Sequence, residues 1–401
     1  MSGFFSCVWP IFRPCRRPGP KPRARIRSLL CTMMLLAMLP SGAHAEAATC
    51  ATPAAAGDGW QTAGIEQSGF DAVALCATLD ELAASDANVH GVLVARRGLL
   101  LAELYKRGKD RSIYSPFARE NSFGPAAAHD LRSVSKSIVG LLFGIAMEQG
   151  ARLAPSTPAL DLYPELADLR GPQRGAITLE HLLTMTSGLE WHETVTSYGS
   201  LSNDETRLYW DWDPPRFVLS RPIAAPAGSL FNYNGGSTAV LADILVRETK
   251  KPLRDLARTA LFEPLGIADW EWVGDLYRRP IAFAGLRMRP RDLLKIGRMV
   301  LEHGQWEGRQ IVPAEWLAQT MRPRVAAGRG LEYGYHWWAG SAGWQGLKWA
   351  WSAAFGNGGQ RLFVVPDLDL AVVVTAGDYN DPKIAATVNG LFRRMVAAVR
   401  D

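Results

Sequence analysis

A serine and a lysine three residues apart stand at the start of a helical apolar pattern. They are Ser133 and Lys136, and apolar residues recur at helical spacing over 138–146. Positions i and i+3 share one helix face, so the lysine ammonium can reach the serine hydroxyl. A serine becomes a nucleophile when a base takes its proton, and a lysine in an apolar pocket can do so because desolvation lowers its pKa. The Ser133 N–H, at a helix start, could hold an oxyanion. Alone, the four-residue pattern also fits an ordinary helix start.

The N-terminal segment has the pattern of an export signal. Seven basic residues and no acidic residue come first, an apolar run follows over 29–39, and Ala43-His44-Ala45 ends the segment. This order is typical of a secretory signal peptide over 1–45, and the apolar run is shorter than the roughly 20 residues of a membrane-spanning helix. We expect an exported protein, periplasmic or secreted, with no stable membrane span after signal removal.

Charge and cysteine content change once this leader is set aside. Of the 44 basic residues, seven lie in the leader, which leaves 37 against 39 acidic residues. The net charge of +5 therefore gives no reason to expect a nucleic-acid partner. Cys50 and Cys76 remain and are expected to form a disulfide in an oxidising compartment. Two cysteines with no local His or carboxylate cluster do not complete a zinc site, so no metal is expected.

Hydrophobic periodicity places strands at both ends of the chain and helices between them. Hairpins are predicted over 91–105, turning at 96–98, and over 361–375, turning at Pro366-Asp367. Helices are predicted over 69–84 and 383–399, and most of 133–323 is expected to be helical. The two ends should meet in one antiparallel sheet flanked by helices. This is an α+β fold in a single domain over 46–401, with a mostly helical lobe inserted at about 150–330.

Two further motifs accompany Ser133-Val134-Ser135-Lys136. They are Phe231-Asn232-Tyr233-Asn234-Gly235-Gly236 and Ala354-Phe355-Gly356-Asn357-Gly358-Gly359-Gln360, and segments 182–189, 264–267 and 291–293 follow in matching order. With these motifs the chain resembles the serine β-lactamase and penicillin-binding-protein-like superfamily, in its class C and esterase or amidase branch. The resemblance spans about 91–378 and implies a β-lactamase-like fold.

The resemblance also implies residue roles. Ser133 matches the nucleophile, Lys136 its lysine partner, and Tyr233 the tyrosine that acts as general base and acid, with Lys136 as the cation that stabilises its phenolate. The oxyanion hole would consist of the N–H groups of Ser133 and Asn357. The glycines of the third motif would let the strand edge approach the substrate, and they are Gly356, Gly358 and Gly359. The expected reaction is hydrolysis of a small ester or amide through an acyl-serine, without a cofactor; the oligomeric state stays open.

Two positions depart from the family pattern. Gly235 stands where the second motif commonly carries asparagine, and Ala354 stands where the third motif carries a cation. β-Lactamases use that cation for the carboxylate of a penicillin, so its loss argues against efficient β-lactam binding. The same departure occurs in esterases and in relatives resembling 6-aminohexanoate-dimer hydrolases, and we place the sequence nearer to them. A DD-peptidase or weak β-lactamase, and a catalytically silent cell-wall peptide-binding relative, remain the alternatives.

An aromatic and acidic loop over 188–222 is open to two interpretations. Its side chains could line a pocket for the acyl or amine part of a substrate, with Trp191 and Tyr198 as binding residues. They could equally form a structural lid whose tryptophans fill the interface between the lobes. Its acidic residues include Glu190, Glu193, Asp204 and Glu205. His129 lies near Ser133 but lacks the sequence context of a Ser-His-Asp triad, and we expect it to be a loop residue.

Overall fold

One large sheet joins the two ends of the chain. The computed structural model describes residues 50–344 and 346–400, so the predicted signal peptide over 1–45 lies outside the described residues. Within that part, the strands are β1 (Gln61–Thr62), β2 (Val89–Arg96), β3 (Leu99–Tyr105), β4 (Arg107–Asp110), β5 (Arg119–Ser122), β6 (His129–Asp130), β7 (Trp270–Trp272), β8 (Leu286–Met288), β9 (Gln305–Trp306), β10 (Arg309–Gln310), β11 (Val325–Gly328), β12 (Leu331–Tyr333), β13 (Trp338–Trp344), β14 (Leu347–Gly356), β15 (Gln360–Val365) and β16 (Leu370–Ala376).

Nine of these strands form the sheet, in the order β1-β3-β2-β16-β15-β14-β13-β12-β11. All neighbours are antiparallel except β1 and β3. Strand β2 pairs with β16, so the N-terminal and C-terminal segments meet in one sheet as the sequence predicts. Both predicted hairpins form, as β2–β3 and β15–β16.

Helices cover both faces of this sheet. They are α1 (Ala72–Ala84), α2 (Val134–Glu148), α3 (Pro172–Gly175), α4 (Leu179–Leu183), α5 (Asp204–Trp210), α6 (Pro214–Leu219), α7 (Gly235–Thr249), α8 (Leu253–Ala257), α9 (Pro290–Leu301), α10 (Ala314–Met321) and α11 (Pro382–Ala397). None of the helices in the described ranges is long and apolar enough to cross a bilayer.

Alternation along the central strands divides the hydrophobic core into two layers. Leu93 and Val373 point to the layer that holds α2 and α9, whereas Val94 and Val372 point to the layer that holds α1 and α11. Burial of both faces explains why these strands are apolar throughout. The larger layer encloses α2, which is buried from Val134 to Ala146. The helix that begins beside Ser133 is thus a fixed core element, and its first turn is held in place by the surrounding structure.

The structure corrects the prediction for His129 and shows where Cys50 and Cys76 lie. His129 is not in a loop: it lies in β6, which pairs with β8, and its side chain is buried. Cys50 and Cys76 form a disulfide that ties the described N-terminus to α1. The helix predicted from residue 69 begins at Ala72 because the Asp71 side chain accepts a hydrogen bond from the Ala74 N–H and caps the helix there.

Candidate active site

Ser133 follows a sharp bend of the backbone at the start of α2. Arg132 has a φ of 51°, a left-handed conformation that is uncommon for a residue with a side chain. The bend is held by hydrogen bonds from the Leu131 N–H to the Leu286 carbonyl and from the Ser135 hydroxyl to the Arg132 carbonyl. The Ser133 side chain makes no capping bond to the helix. Its hydroxyl is therefore available for other partners.

Lys136 provides the first of those partners. Its Nζ lies 3.1 Å from the Ser133 Oγ and donates to the Phe283 carbonyl at 3.0 Å. The lysine side chain is almost completely buried, and its Nζ lies 4.8 Å from the centre of the Tyr233 ring. The spacing of the two residues on one helix face thus brings their reactive atoms together, as the sequence predicts.

The surroundings of Lys136 are not the apolar pocket assumed from the sequence. Glu193 and Glu205, both buried, approach its Nζ at 3.7 Å and 3.5 Å. They come from the loop over 188–222 and from α5, and their charge compensates that of the ammonium group. Sequence reasoning listed both residues among the acidic side chains of the loop but gave them no role beside the nucleophile.

Glu193 is held firmly in this position. It accepts hydrogen bonds from the Trp191 indole N–H at 2.8 Å, from the Tyr198 hydroxyl at 3.2 Å and from the Gly235 N–H at 2.6 Å. The Gly235 N–H belongs to the first turn of α7, where free N–H groups favour a negative charge. These bonds fix the Glu193 carboxylate beside the ammonium group of Lys136.

The two carboxylates behave as a pair. Burial raises the pKa of Glu205 well above its usual value, and the neighbouring Glu193 carboxylate raises it further, while Lys136 opposes both effects. The raised pKa of Glu205 favours the protonated form of this carboxyl group, which lies beside Glu193. The pair can therefore both balance Lys136 and take up a proton from it.

Gly235 explains how two acidic side chains fit here. A Cβ atom on residue 235 would lie 3.0 Å from a Glu205 carboxylate oxygen and 3.1 Å from one of Glu193. The space beside residue 235, where the family commonly carries asparagine, is thus occupied by the carboxylate pair. The first departure from the family motif is a replacement of an amide by two acids from another part of the chain.

Tyr233 is a neutral phenol in this environment. Burial raises its pKa well above the usual value and the Glu193 charge adds to this, whereas a hydrogen bond with Ser133 and the charge of Arg361 act in the opposite direction. Lys136 faces the tyrosine ring. The expected phenolate beside Lys136 is therefore not the resting state.

Arg361 is a buried cation that sequence reasoning missed. It lies on β15, donates to the Gly356 carbonyl at 3.1 Å and stacks 4.1 Å from the centre of the Phe355 ring. Burial lowers its pKa to about 10, and a phenolate charge on Tyr233 would act against this. The available signal was an arginine that follows Gln360 at the start of the apolar run of this strand. Ala354, by contrast, is fully buried in the core and carries no charge.

A cavity of about 320 Å³ opens beside Ser133. Three of the residues proposed from the sequence line this cavity, namely Ser133, Tyr198 and Asn357. Glu205 and two arginines that the sequence did not single out, Arg111 and Arg132, also line it. Both residues proposed for the oxyanion hole therefore face one cavity. Of the five proposed substrate-binding residues, Tyr198 is the one on its wall.

The other proposed substrate-binding residues lie behind this wall. Trp191 is buried against Phe217 and bonds to Glu193. A side chain at Gly356 would run into the Leu131 carbonyl, so the absence of one lets β14 lie against the backbone that leads to Ser133. Gly358 and Gly359 have left-handed backbones, and side chains there would meet Tyr379 and α11. Their role in the structure is close packing.

The chain is similar to several known proteins. Residues 81–389 match the family model for beta-lactamase. The 6-aminohexanoate-dimer hydrolase of Paenarthrobacter ureafaciens is 26% identical over 309 residues, which are 72% of this chain and 72% of that protein. The solved structure of EstCE1, a hydrolase with promiscuous acyltransferase activity, has a TM-score of 0.62 at 15% identity and covers 81% of this chain and 99% of its own. A class C beta-lactamase from Rhodobacter sphaeroides has a TM-score of 0.57 at 19% identity, with coverage of 81% and 99%. Because the family model spans most of the chain, this protein belongs to the beta-lactamase family of hydrolases.

Proposed function

We propose that the protein is an exported serine hydrolase that cleaves a small ester or amide through an acyl-enzyme on Ser133. The observation that carries the proposal is the 3.1 Å contact between the Lys136 Nζ and the Oγ of Ser133, a residue on the wall of a cavity. The disulfide between Cys50 and Cys76 and the sequence pattern of the leader support export.

The first half of the reaction forms the acyl-enzyme. A proton moves from Lys136 to the carboxylate pair, and the resulting amine takes the proton of Ser133 as its Oγ attacks the substrate carbonyl carbon. The developing oxyanion is held by the backbone N–H groups of Ser133 and Asn357. Tyr233, a neutral phenol bonded to Ser133, then donates its proton to the leaving alcohol or amine as the carbonyl re-forms.

The second half releases the acid. Tyr233 is now a phenolate, and Arg361 stabilises its charge. It takes a proton from water while the water oxygen attacks the acyl carbon, and Ser133 leaves with the proton held by Lys136. The proton on the carboxylate pair then returns to Lys136, so every group regains its starting state.

The buried Ala354 favours an ester or amide substrate over a β-lactam. The third motif offers no cation to the cavity from that position, and the cation of β15, Arg361, is not among the residues that line the cavity and acts on Tyr233. The relation to a 6-aminohexanoate-dimer hydrolase supports an amide or ester of a small acid as the substrate class. A DD-peptidase or weak β-lactamase is the alternative within the same fold.

Covalent labelling tests the proposal directly. The purified protein, its Ser133→Ala variant and a Ser115→Ala control are each treated with a fluorophosphonate, p-nitrophenyl acetate and a fluorescent penicillin, and intact masses are measured. Ser115 is a suitable control because it lies near the same cavity but bonds to the Phe117 carbonyl. We expect phosphonate labelling and ester turnover in the wild type and the control, and neither in Ser133→Ala.

Two other results would change the conclusion. A stable penicillin adduct at Ser133 without ester turnover would favour the DD-peptidase alternative. A folded wild-type protein that reacts with none of the three probes would refute the hydrolase proposal and favour a peptide-binding relative.

A further inference from the structure

Three metal-ligating side chains converge beside the active-site wall. His90 on β2, Asp110 on β4 and His129 on β6 each offer one ligand atom, and these atoms lie within 4.8 Å of one another. His90 Nδ1 and His129 Nε2 are 2.8 Å apart, and Asp110 Oδ2 lies 4.0 Å from His129 Nε2. Both imidazole rings are buried. The serine hydrolase mechanism uses none of the three residues.

The outer hydrogen bonds of the two histidines fix which nitrogens carry protons. The Asn88 amide points its Nδ2 at the Lys109 carbonyl and the Asp378 carboxylate, and its Oδ1 accepts from the Lys109 N–H. That Oδ1 must therefore accept from His90 Nε2, 2.9 Å away. Likewise, His129 Nδ1 must donate to the Asp130 carbonyl at 2.9 Å.

When both histidines are neutral, neither of the two nitrogens that face each other, His90 Nδ1 and His129 Nε2, carries a proton. Two lone pairs 2.8 Å apart repel each other, so a cation is needed between the rings. A shared proton would join the imidazoles alone, and Asp110 Oδ2 at 4.0 Å would be too far to take part in that hydrogen bond. A metal ion can accept one atom from each of the three side chains.

The surroundings have the further features of a built metal site. Each ligand is held from behind: His90 by Asn88, His129 by the Asp130 carbonyl, and Asp110 by the Tyr379 hydroxyl at 2.5 Å. Such outer bonds orient metal ligands and select the required histidine tautomer.

The His90 ring also lies in a slot that glycines keep open. A Cβ on Gly108 would come within 2.6 Å of the ring, and one on Gly377 within 2.5 Å. The Phe123 ring stacks on the His90 ring, with the two ring centres 4.1 Å apart. The ring orientation that aims Nδ1 at the other two ligands is therefore fixed by packing.

We infer that His90, Asp110 and His129 bind one divalent transition-metal ion of the zinc class. Two imidazoles and one carboxylate are a donor set that Zn²⁺ favours, and ligand distances of about 2.0–2.2 Å require only a small adjustment of the side chains. The site joins three separate strands, and Tyr379, which holds Asp110, also lines the cavity beside Ser133. A metal ion bound at this site would hold the three strands together beside the cavity. The inferred metal site does not depend on the proposed hydrolase chemistry.

Metal binding to the purified full chain tests this inference. The protein is stripped with a chelator, the chelator is removed, and Zn²⁺ binding is measured by calorimetry in the wild type, His90→Gln, His129→Gln and Tyr379→Phe. We expect one ion per chain, a loss of affinity of more than about 100-fold in each histidine variant, and about 10–100-fold in Tyr379→Phe, which keeps the ligands but loses the outer bond.

His192→Gln is the matched control. His192 is half-exposed and lies beside Glu190 and Asp204, so it is the obvious place for adventitious zinc. We expect the control to bind as the wild type does. If binding persists in His90→Gln and His129→Gln, or disappears in His192→Gln, the ion is elsewhere and the inference is wrong.

A measurement on the wild type alone guards against variants that do not fold. Crystals grown with Zn²⁺ should show an anomalous peak at the zinc edge between His90 Nδ1, His129 Nε2 and Asp110 Oδ2. Folded, chelator-stripped wild type that takes up no zinc, and shows no such peak, would mean that a shared proton joins the histidines and would overturn the metal site.

Discussion

Replacing both buried carboxylates with glutamine tests whether Glu193 and Glu205 act as one compensating charge for Lys136. Their oxygens lie 3.7 and 3.5 Å from its Nζ, so either residue can carry the negative charge when the other is neutral. We expect Glu193→Gln and Glu205→Gln singly to lower kcat/KM for p-nitrophenyl acetate by about 10-fold or less, because each leaves one acid beside the lysine. The double variant leaves none.

The expected size of the double effect follows from these distances. Two unit charges about 3.6 Å apart interact by about 4–5 kcal/mol at an effective dielectric constant of 20. Without a carboxylate, the Lys136 ammonium group loses both this stabilisation and its proton acceptor, so kcat/KM of the double variant should fall by about 10³-fold or more, beyond the product of the two single effects.

Unfolding in urea at neutral pH provides a readout that does not need catalysis. A buried ammonium group that has lost its last counter-charge destabilises the fold, so the double variant should lose about 2–3 kcal/mol more than the two single variants together. If the effects on stability and on kcat/KM are both additive, the two glutamates do not share the charge of Lys136, and the route of its proton must be sought elsewhere.

Two further substitutions probe the same site. Tyr233→Phe should lower kcat for ester hydrolysis by about 10²-fold or more while KM changes little, because a proton donor is lost but no wall of the cavity; unchanged kcat in steady-state assays would remove Tyr233 from the mechanism. Gly235→Asn, which restores the family residue, should lower the free energy of unfolding by about 1–3 kcal/mol, since even a Cβ would lie 3.0 to 3.1 Å from the oxygens of Glu205 and Glu193. Gly390→Ala, at a helix position with open space around it, is the control in the same urea titration and should not destabilise.

The parts of the fold that could be predicted from the sequence depend on local patterns. The hairpin over β2 and β3 follows from two apolar runs around a turn, and its structure turns at Arg97 and Gly98, both with positive φ. The α2 prediction follows in the same way from apolar spacing. Pairing of β2 with β16 is not local, but strands at both ends of the chain with helices between them leave few other ways to form one sheet.

The carboxylate pair could not be predicted, because its position depends on partners far apart in sequence. The loop over 188–222 carries several acidic and aromatic residues, and no local pattern tells which of them point inward. Glu193 does so because its carboxylate meets the Gly235 N–H, 42 positions away, as well as Lys136. Tyr198 lines the cavity, while Trp191 packs in the interior, and the part that either plays in substrate binding stays a prediction.

The same dependence on distant partners decides what the two motif departures mean. In the sequence alone, Gly235 means that the asparagine amide common in the second motif is absent, and Ala354 means that the cation of the third motif is absent. In the structure the amide's place is taken by two acids that face Lys136, and a buried cation, Arg361, stands on the next strand, where its charge acts on Tyr233. The two departures therefore remove an amide and a cation that would bind a substrate. The charged groups found in the structure instead act on Lys136 and Tyr233, the residues that transfer protons. The cations left on the cavity wall are Arg111 and Arg132. Substrate choice should accordingly depend on these two arginines and on Tyr198, and the third motif should contribute chiefly its backbone N–H.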